Sequence, residues 1–344
     1  MRATEFITER FDYSKYLPIL RRIIKNTFHS INSDEDLYDP VSKVNQFFYD
    51  LQDDIDSHIL APLLKENPIT IEGSKVNHLF MSFKVNFTEK IPTGGRLDVN
   101  ALNNQVASAL QQKYSKQRFE PSTDLTVSFL KSMTSFVGEA TFGYEEDTHN
   151  GLINMDVRGD MIANFAFMAE DSKIVTASLE LLTNDIIGKL MHEVKHYIQS
   201  SKVAKNLGYH AQVNRFYTGD PKQLSHPETG GHYKNKMYDT DTGYWLNADE
   251  MNSWATNAAA EINSIFGNDV NAKNQYMNAV MSGKPFNYNG APVDTTLNTY
   301  RAKIFDKRRK VNVDRNTLWR KFVKDVYQDV QMFSASQTQP SKQR

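Results

Sequence analysis

One pentapeptide constrains this chain more than anything else in it: His192-Glu193-Val194-Lys195-His196, in a stretch (191–206) that holds no proline or glycine. Ile186, Ile187, Leu190, Met191, Val194 and Ile198 recur around it at helical spacing. The pattern predicts a helix that begins near Thr176 or Thr183 and ends near Asn206, where Gly208 supplies a stop. Residues four apart on a helix share a face, one turn apart. His192 and His196 would therefore aim two imidazole nitrogens at one point, in or beside a core.

That geometry suits a divalent metal. Zn²⁺ takes nitrogen and carboxylate ligands in a tetrahedral set, and a catalytic site leaves one position for water. Glu193 stands beside the first ligand and can reach such a water without binding the metal. It is placed to take a proton during attack on a carbonyl carbon and to return it to the leaving amine. With nine histidines in 344 residues, HExxH arises by accident in roughly one such chain in a hundred. A coincidental surface helix is the alternative, and the apolar flanks argue against it.

A third ligand must come from elsewhere. The extended form HExxHxxGxxH is absent, because Gln199 stands where its glycine would be and no histidine follows. Downstream lies Tyr244-Trp245-Leu246-Asn247-Ala248-Asp249-Glu250-Met251-Asn252-Ser253-Trp254-Ala255. The combination of HExxHxxQ, a Tyr-rich loop and an ExNxxA helix resembles the gluzincin group of zinc metallopeptidases, in the form found in HExxH proteins of phages and bacteria. The resemblance covers mainly 185–260, reaching back toward the strands from 136. It implies Zn²⁺ held by His192, His196 and Glu250, with Glu193 as base.

Two alternatives stay open at Glu250. Asn247-x-x-Glu250 also reads as a helix-starting box that satisfies a backbone N–H, and Asp249 could be the ligand instead. Ala255, Ala258, Ala259 and Ala260 would let this helix approach the zinc helix closely, which favours the ligand role. The sequence departs from thermolysin-like members at Trp254, where those have the Asp that orients a zinc-bound His. The residues behind the ligands are therefore not identified.

The rest of the chain reads as an α+β protein, mainly helical and zincin-like, with a small mixed or antiparallel sheet beside the HExxH helix. Stripes of apolar residues predict helices over 14–29 and 41–60, and period-two alternation at Leu79, Met81, Phe83, Val85 and Phe87 predicts strand within 69–88. A helix over 98–117 follows. Strands at 136–144 and 151–158, joined by the polar turn EEDTHN, stand just upstream of the zinc helix. Helices are expected over 248–266, over 271–281 and through most of 296–333. The expected division is a mixed N-terminal region (1–130), a zincin-like metal-binding region with C-terminal helices (131–333) and a disordered tail (334–344).

Residues 207–246, rich in Gly, Tyr, His, Asp and Thr, form a long irregular loop, and loops of that length are usually functional or disordered. His232, Tyr233 and Tyr244 are its candidates for stabilising a developing oxyanion, with solvated loop residues as the equal alternative. His29, His58, His78 and His149 read as structural or surface residues.

Cysteine is absent, which excludes a disulfide framework, a cysteine-rich zinc site and a thiol nucleophile. The net charge of −1 removes any argument for wholesale polyanion binding. A local one remains at 301–324, where ten Lys or Arg stand against Asp306 and Asp314, interleaved with Phe305, Trp319 and Phe322. That stretch could bind nucleic acid, though the solvated side of ordinary helices is the weightier reading. The N-terminus lacks a secretory pattern and the longest apolar run, 161–169, is too short to cross a bilayer. The expectation is a cytoplasmic protein with no membrane partner, acting on a protein or peptide. The opening MRATEFI also looks like the starts of proteins of marine T4-like phages, which would place it in a host cytoplasm or a virion. The competing expectation keeps the fold without the activity, as a virion-associated or binding protein.

Overall fold

The structure, a computed structural model, describes residues 12–37, 39–68, 70–71, 74–88, 97–133, 135–145, 147–207, 248–306 and 314–338. Two amphipathic helices open the described residues. Helix α1 (Leu17–Asn32) buries Leu17, Leu20, Ile23, Ile24, Phe28 and Ile31. Helix α2 (Pro40–Ile55) starts at Asp39, whose carboxylate accepts from the Ser42 backbone N–H at 2.9 Å, and buries Val44, Phe47, Phe48 and Leu51.

The helix expected to end near residue 60 continues to Glu66. A π turn (Asp56–Leu60) joins α2 to α3 (Ala61–Glu66), which holds Pro62 in its first turn. Proline lacks an N–H and its ring crowds the carbonyl four residues back. The wider π turn opens the ladder at that point.

The segment 69–88 resolves into a two-residue pair, β1 (Thr70–Ile71) with β2 (Ser74–Lys75), and a true strand, β3 (Leu79–Asn86). Helix α4 (Val99–Lys113), expected over 98–117, is capped by Asp98, whose carboxylate accepts from the Asn100 and Ala101 N–H groups. Sequence reading left 123–133 without an element, yet α5 (Thr123–Met133) lies there, its first turn held by the Ser122 hydroxyl, which accepts from Leu125 N–H at 3.2 Å.

Strands β4 (Val137–Glu145) and β5 (Asn150–Arg158) pair antiparallel, and β5 also pairs parallel with β3, giving the sheet order β3-β5-β4. The sheet is mixed, as expected. His149, at φ 56°, makes the left-handed residue of the turn between β4 and β5. Gly151, Ile153, Met155 and Val157 alternate onto the buried face of β5.

After a short helix α6 (Gly159–Ile162) and a π turn (Ala163–Phe167) comes α7 (Ser172–Leu207), 36 residues and about 54 Å long. It starts earlier than the apolar pattern predicts because the Asp171 carboxylate accepts from Lys173 and Ile174 N–H groups. Helix α8 (Ala248–Phe266) runs against α7. Gly188 makes the approach possible: a Cβ there would stand 2.8 Å from Ala260 Cβ. Ala255, Ala258 and Ala259 are fully buried along the same contact.

Helix α9 (Val270–Met281), a β6 (Asn287–Tyr288) and β7 (Ala291–Pro292) hairpin, α10 (Thr296–Phe305) and α11 (Arg315–Thr338) complete the described chain. Asn289 and Gly290 both take positive φ in the hairpin turn, the conformation an Asn-Gly pair favours. Helix α11 continues past the expected start of the tail. Ser334 accepts from Lys273 Nζ at 2.8 Å and donates to Asn263 Oδ1 at 3.1 Å, so 334–338 are tied into the last turns of that helix. Residues 339–344 lie outside the described ones.

The result is a mainly helical α+β fold. One apolar cluster runs from Tyr13 through the sheet, α7 and α8 to Phe333, so α1, α2 and α11 share their core with the metal-motif helix. A second cluster joins α4 and α5. Among the described residues no helix is long and apolar enough to cross a membrane.

Candidate metal centre

Helices α7 and α8 bring three predicted residues to one point. His192, His196 and Glu250 each offer a ligand atom, and these atoms all lie within 4.8 Å of one another. The two histidine Nε2 atoms are 3.1 Å apart. Glu250 Oε1 is 3.5 Å from His196 Nε2, and its Oε2 is 3.9 Å from His192 Nε2. Ligands of a tetrahedral zinc ion, with metal–ligand bonds near 2.0–2.1 Å, stand about 3.3 Å apart. The observed separations bracket that value.

The chemistry of the donors agrees with the spacing. Glu250 Oε2 is buried and has no hydrogen-bond partner among the described residues. Burial, chiefly, and the positive charges of His196, Lys189 and Lys195 hold the His192 imidazole well below its ordinary pKa, so it is neutral. The Ser253 backbone opposes that lowering. The Nε2 atom of His192 faces the ligand atoms of His196 and Glu250. The residues present therefore fit a zinc ion.

Glu193 lies beside this set, Oε1 3.9 Å from His192 Nε2, and is 5% exposed. Burial raises its carboxyl to about 7, with the Glu250 charge adding to the rise; His196, Lys189 and the Phe142 backbone N–H, which donates to the carboxylate, oppose it. Phe142 belongs to β4, the edge strand, and its ring meets Tyr197 of α7 edge-on at 5.7 Å. The edge of the sheet thus holds the side chain that the motif places as base.

Several contributors escaped the sequence reading. Asn257, seven residues after Glu250 and so on the same face of α8, places its amide nitrogen 3.2 Å from His192 Nδ1. Its Oδ1 has no hydrogen-bond partner among the described residues. Asn257 is thus the residue that meets His192 from behind, where Trp254 offers no carboxylate. Trp254 itself packs edge-on against the His192 ring at 4.9 Å, with Lys189 Nζ 5.1 Å from the indole centroid.

Lys195, inside the motif, was also passed over. It is one helical turn from Met191 and next to Val194, on the buried side of α7, and its side chain is 2% exposed. Its Nζ donates to the Asn252 carbonyl at 2.9 Å and to Asp329 Oδ2 at 3.2 Å. Asp329 is fully buried and also accepts from Thr256 Oγ1 at 3.0 Å. This network ties α7 to α11 and to α8 two residues beyond Glu250. A lysine on an otherwise apolar helix face is the signal that marks it.

His232 and Tyr244, the expected oxyanion candidates, lie outside the described residues, as do Tyr233 and the Asn247 and Asp249 side chains. Of the basic stretch, 307–313 lie outside too. Trp319 and Phe322 are buried in the core and present no ring to a base. Arg315 donates to the Ile304 and Asp306 carbonyls, and Arg301 lies over Phe305 at 5.3 Å. The chain matches no protein-family model, no curated protein and no solved structure.

Proposed function

We propose that this chain is a zinc-dependent peptidase of the gluzincin type. The observation that carries the reading is the convergence of His192, His196 and Glu250 from two helices, with Glu193 beside them and its carboxylate held by the Phe142 N–H. The zincin-like refinement of the fold belongs to the same reading, supported by a mixed sheet whose antiparallel edge strand lies against the HExxH helix. A zinc ion held by the three ligands supplies a Lewis acid that polarises a carbonyl and lowers the pKa of a water.

The chain's own residues do the rest. Glu193 takes a proton from the attacking water and delivers it to the nitrogen of the scissile amide as the C–N bond breaks. The Phe142 N–H fixes the carboxylate's position. Asn257 orients the plane of the His192 ring at Nδ1, and Trp254 walls that ring. His232 and Tyr244, which lie outside the described residues, are the residues to test as donors to the developing oxyanion.

A second reading, a binding or virion-associated protein whose metal is structural, draws on the depth of the ligands: the His192 and His196 side chains are 6% and 8% exposed among the described residues. Peptidase assays on a broad fluorogenic peptide set separate the two. Cleavage by the wild type, lost in Glu193→Gln while zinc is retained, supports the enzyme. Zinc retention with no cleavage of any peptide or denatured protein supports the second reading.

A further inference from the structure

A cleft of about 560 Å³ opens toward the N-terminal half of α7, between α1, α5, α7, the end of α8 and the β6–β7 turn. Its volume falls in the range of small-molecule sites, roughly 300–1,000 Å³. Arg21 stands in its wall. One guanidinium nitrogen donates to Asn184 Oδ1 at 2.9 Å, while Nε is buried with no hydrogen-bond partner among the described residues. No carboxylate lies within ion-pair distance of Arg21 among those residues. The acid that acts on it, Glu180, is engaged at 2.6 Å by Lys131 Nζ. Burial lowers the guanidinium to about 10, the mark of a cation short of compensation.

A second cation lies behind the first. Lys273 is 4% exposed and its Nζ has neutral partners, Asn263 Oδ1 at 2.5 Å and Ser334 Oγ at 2.8 Å, with the charge of Asp269 acting from farther off. In the wall itself Arg21 and Lys131 stand against the single acid Glu180, and Lys273 lies behind it, reached through Asn263. Asn268 and Asn289 line the rest with side-chain amides, and Tyr288 contributes an aromatic side.

We propose that this cleft binds a small organic phosphate. A guanidinium that no carboxylate engages can match an oxyanion bidentately through its outer N–H groups. The additional phosphate oxygens have Lys131 and the asparagine amides within the same wall, and the volume left over accommodates an organic body. Asn184 lies eight residues before His192, about 12 Å along the helix axis, so the cleft stands apart from the metal centre and does not depend on the peptidase reading.

Thermal unfolding of the full chain tests the proposal, with inorganic phosphate or glycerol 3-phosphate titrated against sodium chloride at matched ionic strength. Each run is made once zinc-loaded and once with a chelator. Near saturation the midpoint should rise by roughly 2–4 °C, equally in both conditions, with glycerol 3-phosphate acting at lower concentration than inorganic phosphate. Arg21→Gln should abolish the rise. Glu180→Gln removes an exposed acid that competes with the ligand, and should lower the half-saturating concentration roughly two- to fivefold; it serves even if Arg21→Gln does not fold. A rise confined to zinc-loaded protein would place the anion at the metal centre and overturn the proposal. So would a rise unchanged in both variants, no rise at all, or glycerol 3-phosphate acting no better than inorganic phosphate.

Discussion

The Lys195–Asp329 pair makes the sharpest demand on the structure. Both side chains are removed from water, at 2% and 0% exposure. Breaking such a pair by deleting one partner costs about 3–5 kcal/mol, because the surviving charge stays in a low-dielectric interior. Asp329→Ala also strips the Thr256 hydroxyl of its acceptor, adding about 1 kcal/mol. Lys195→Met removes the charge and the bond to the Asn252 carbonyl, which steadies α8 just beyond Glu250. Replacing both with apolar groups of similar volume, as in Lys195→Met with Asp329→Leu, should recover most of the loss, since two desolvated charges disappear together. Urea denaturation of the four proteins at neutral pH gives the cycle. The structure predicts each single variant about 3 kcal/mol or more less stable than wild type, from the lower end of the range above. The double variant should fall well short of the sum, and should bind zinc more weakly despite its recovered stability. Single losses under about 1 kcal/mol, or simple additivity, would refute the buried pair.

Three further outcomes follow from other contacts. Asn257→Leu should weaken zinc binding roughly 10–100-fold, measured by competition with a chromogenic chelator, because His192 loses part of what orients it. Gly188→Ala should cost about 1–3 kcal/mol by forcing a methyl against Ala260 Cβ; adding Ala260→Gly should restore stability with the helix-propensity sum unchanged. Burial raises Asp185 from 3.8 to about 7, against the Phe136 N–H, the Ser135 hydroxyl and the Lys189 charge, with Glu261 adding to the rise. A carboxyl with a raised folded-state pKa holds its proton longer in the folded chain, so its contribution falls as pH climbs from about 4 to about 7. Asp185→Asn should therefore gain stability relative to wild type across that window, read from melting curves at each pH; a constant difference would contradict it.

What could be read before the structure was mostly local and periodic. Helix α8 appears where its spacing predicts, over Ala248–Phe266, because Ala-rich periodicity and a following Gly267 at φ 53° leave little choice. The pairing of β4 with β5 was legible from two alternating runs around a polar turn. Helix α5 was not, since its Thr126, Val127 and Phe129 suit strand as well as helix and only its packing on α4 and α7 decides. The π turn before Pro62 was missed because proline is normally a stop, and the wider turn that lets the chain continue leaves no pattern of its own.

At the site, His192, Glu193 and His196 were fixed by their spacing within one helix. Glu250 entered only by resemblance, since nothing in 53 intervening residues says how α8 returns to α7. The Gly188–Ala260 contact is what brings it there. The supporting residues, Ser253, Asn257, Phe142, Lys195 and Asp329, act across elements far apart in the chain. Asn257 shares a face with Glu250 and Lys195 interrupts an apolar one, so both left a trace, whereas Asp329, 134 residues from its lysine, left none.

The measurement that tests the central claim most directly is the zinc content of the purified full chain by elemental analysis, for wild type, His192→Ala, Glu250→Ala and Glu193→Gln. The account predicts about one zinc per chain in wild type and in Glu193→Gln, and loss of the metal in the other two. Zinc-free wild type after zinc is added back, or full retention in Glu250→Ala, would contradict it.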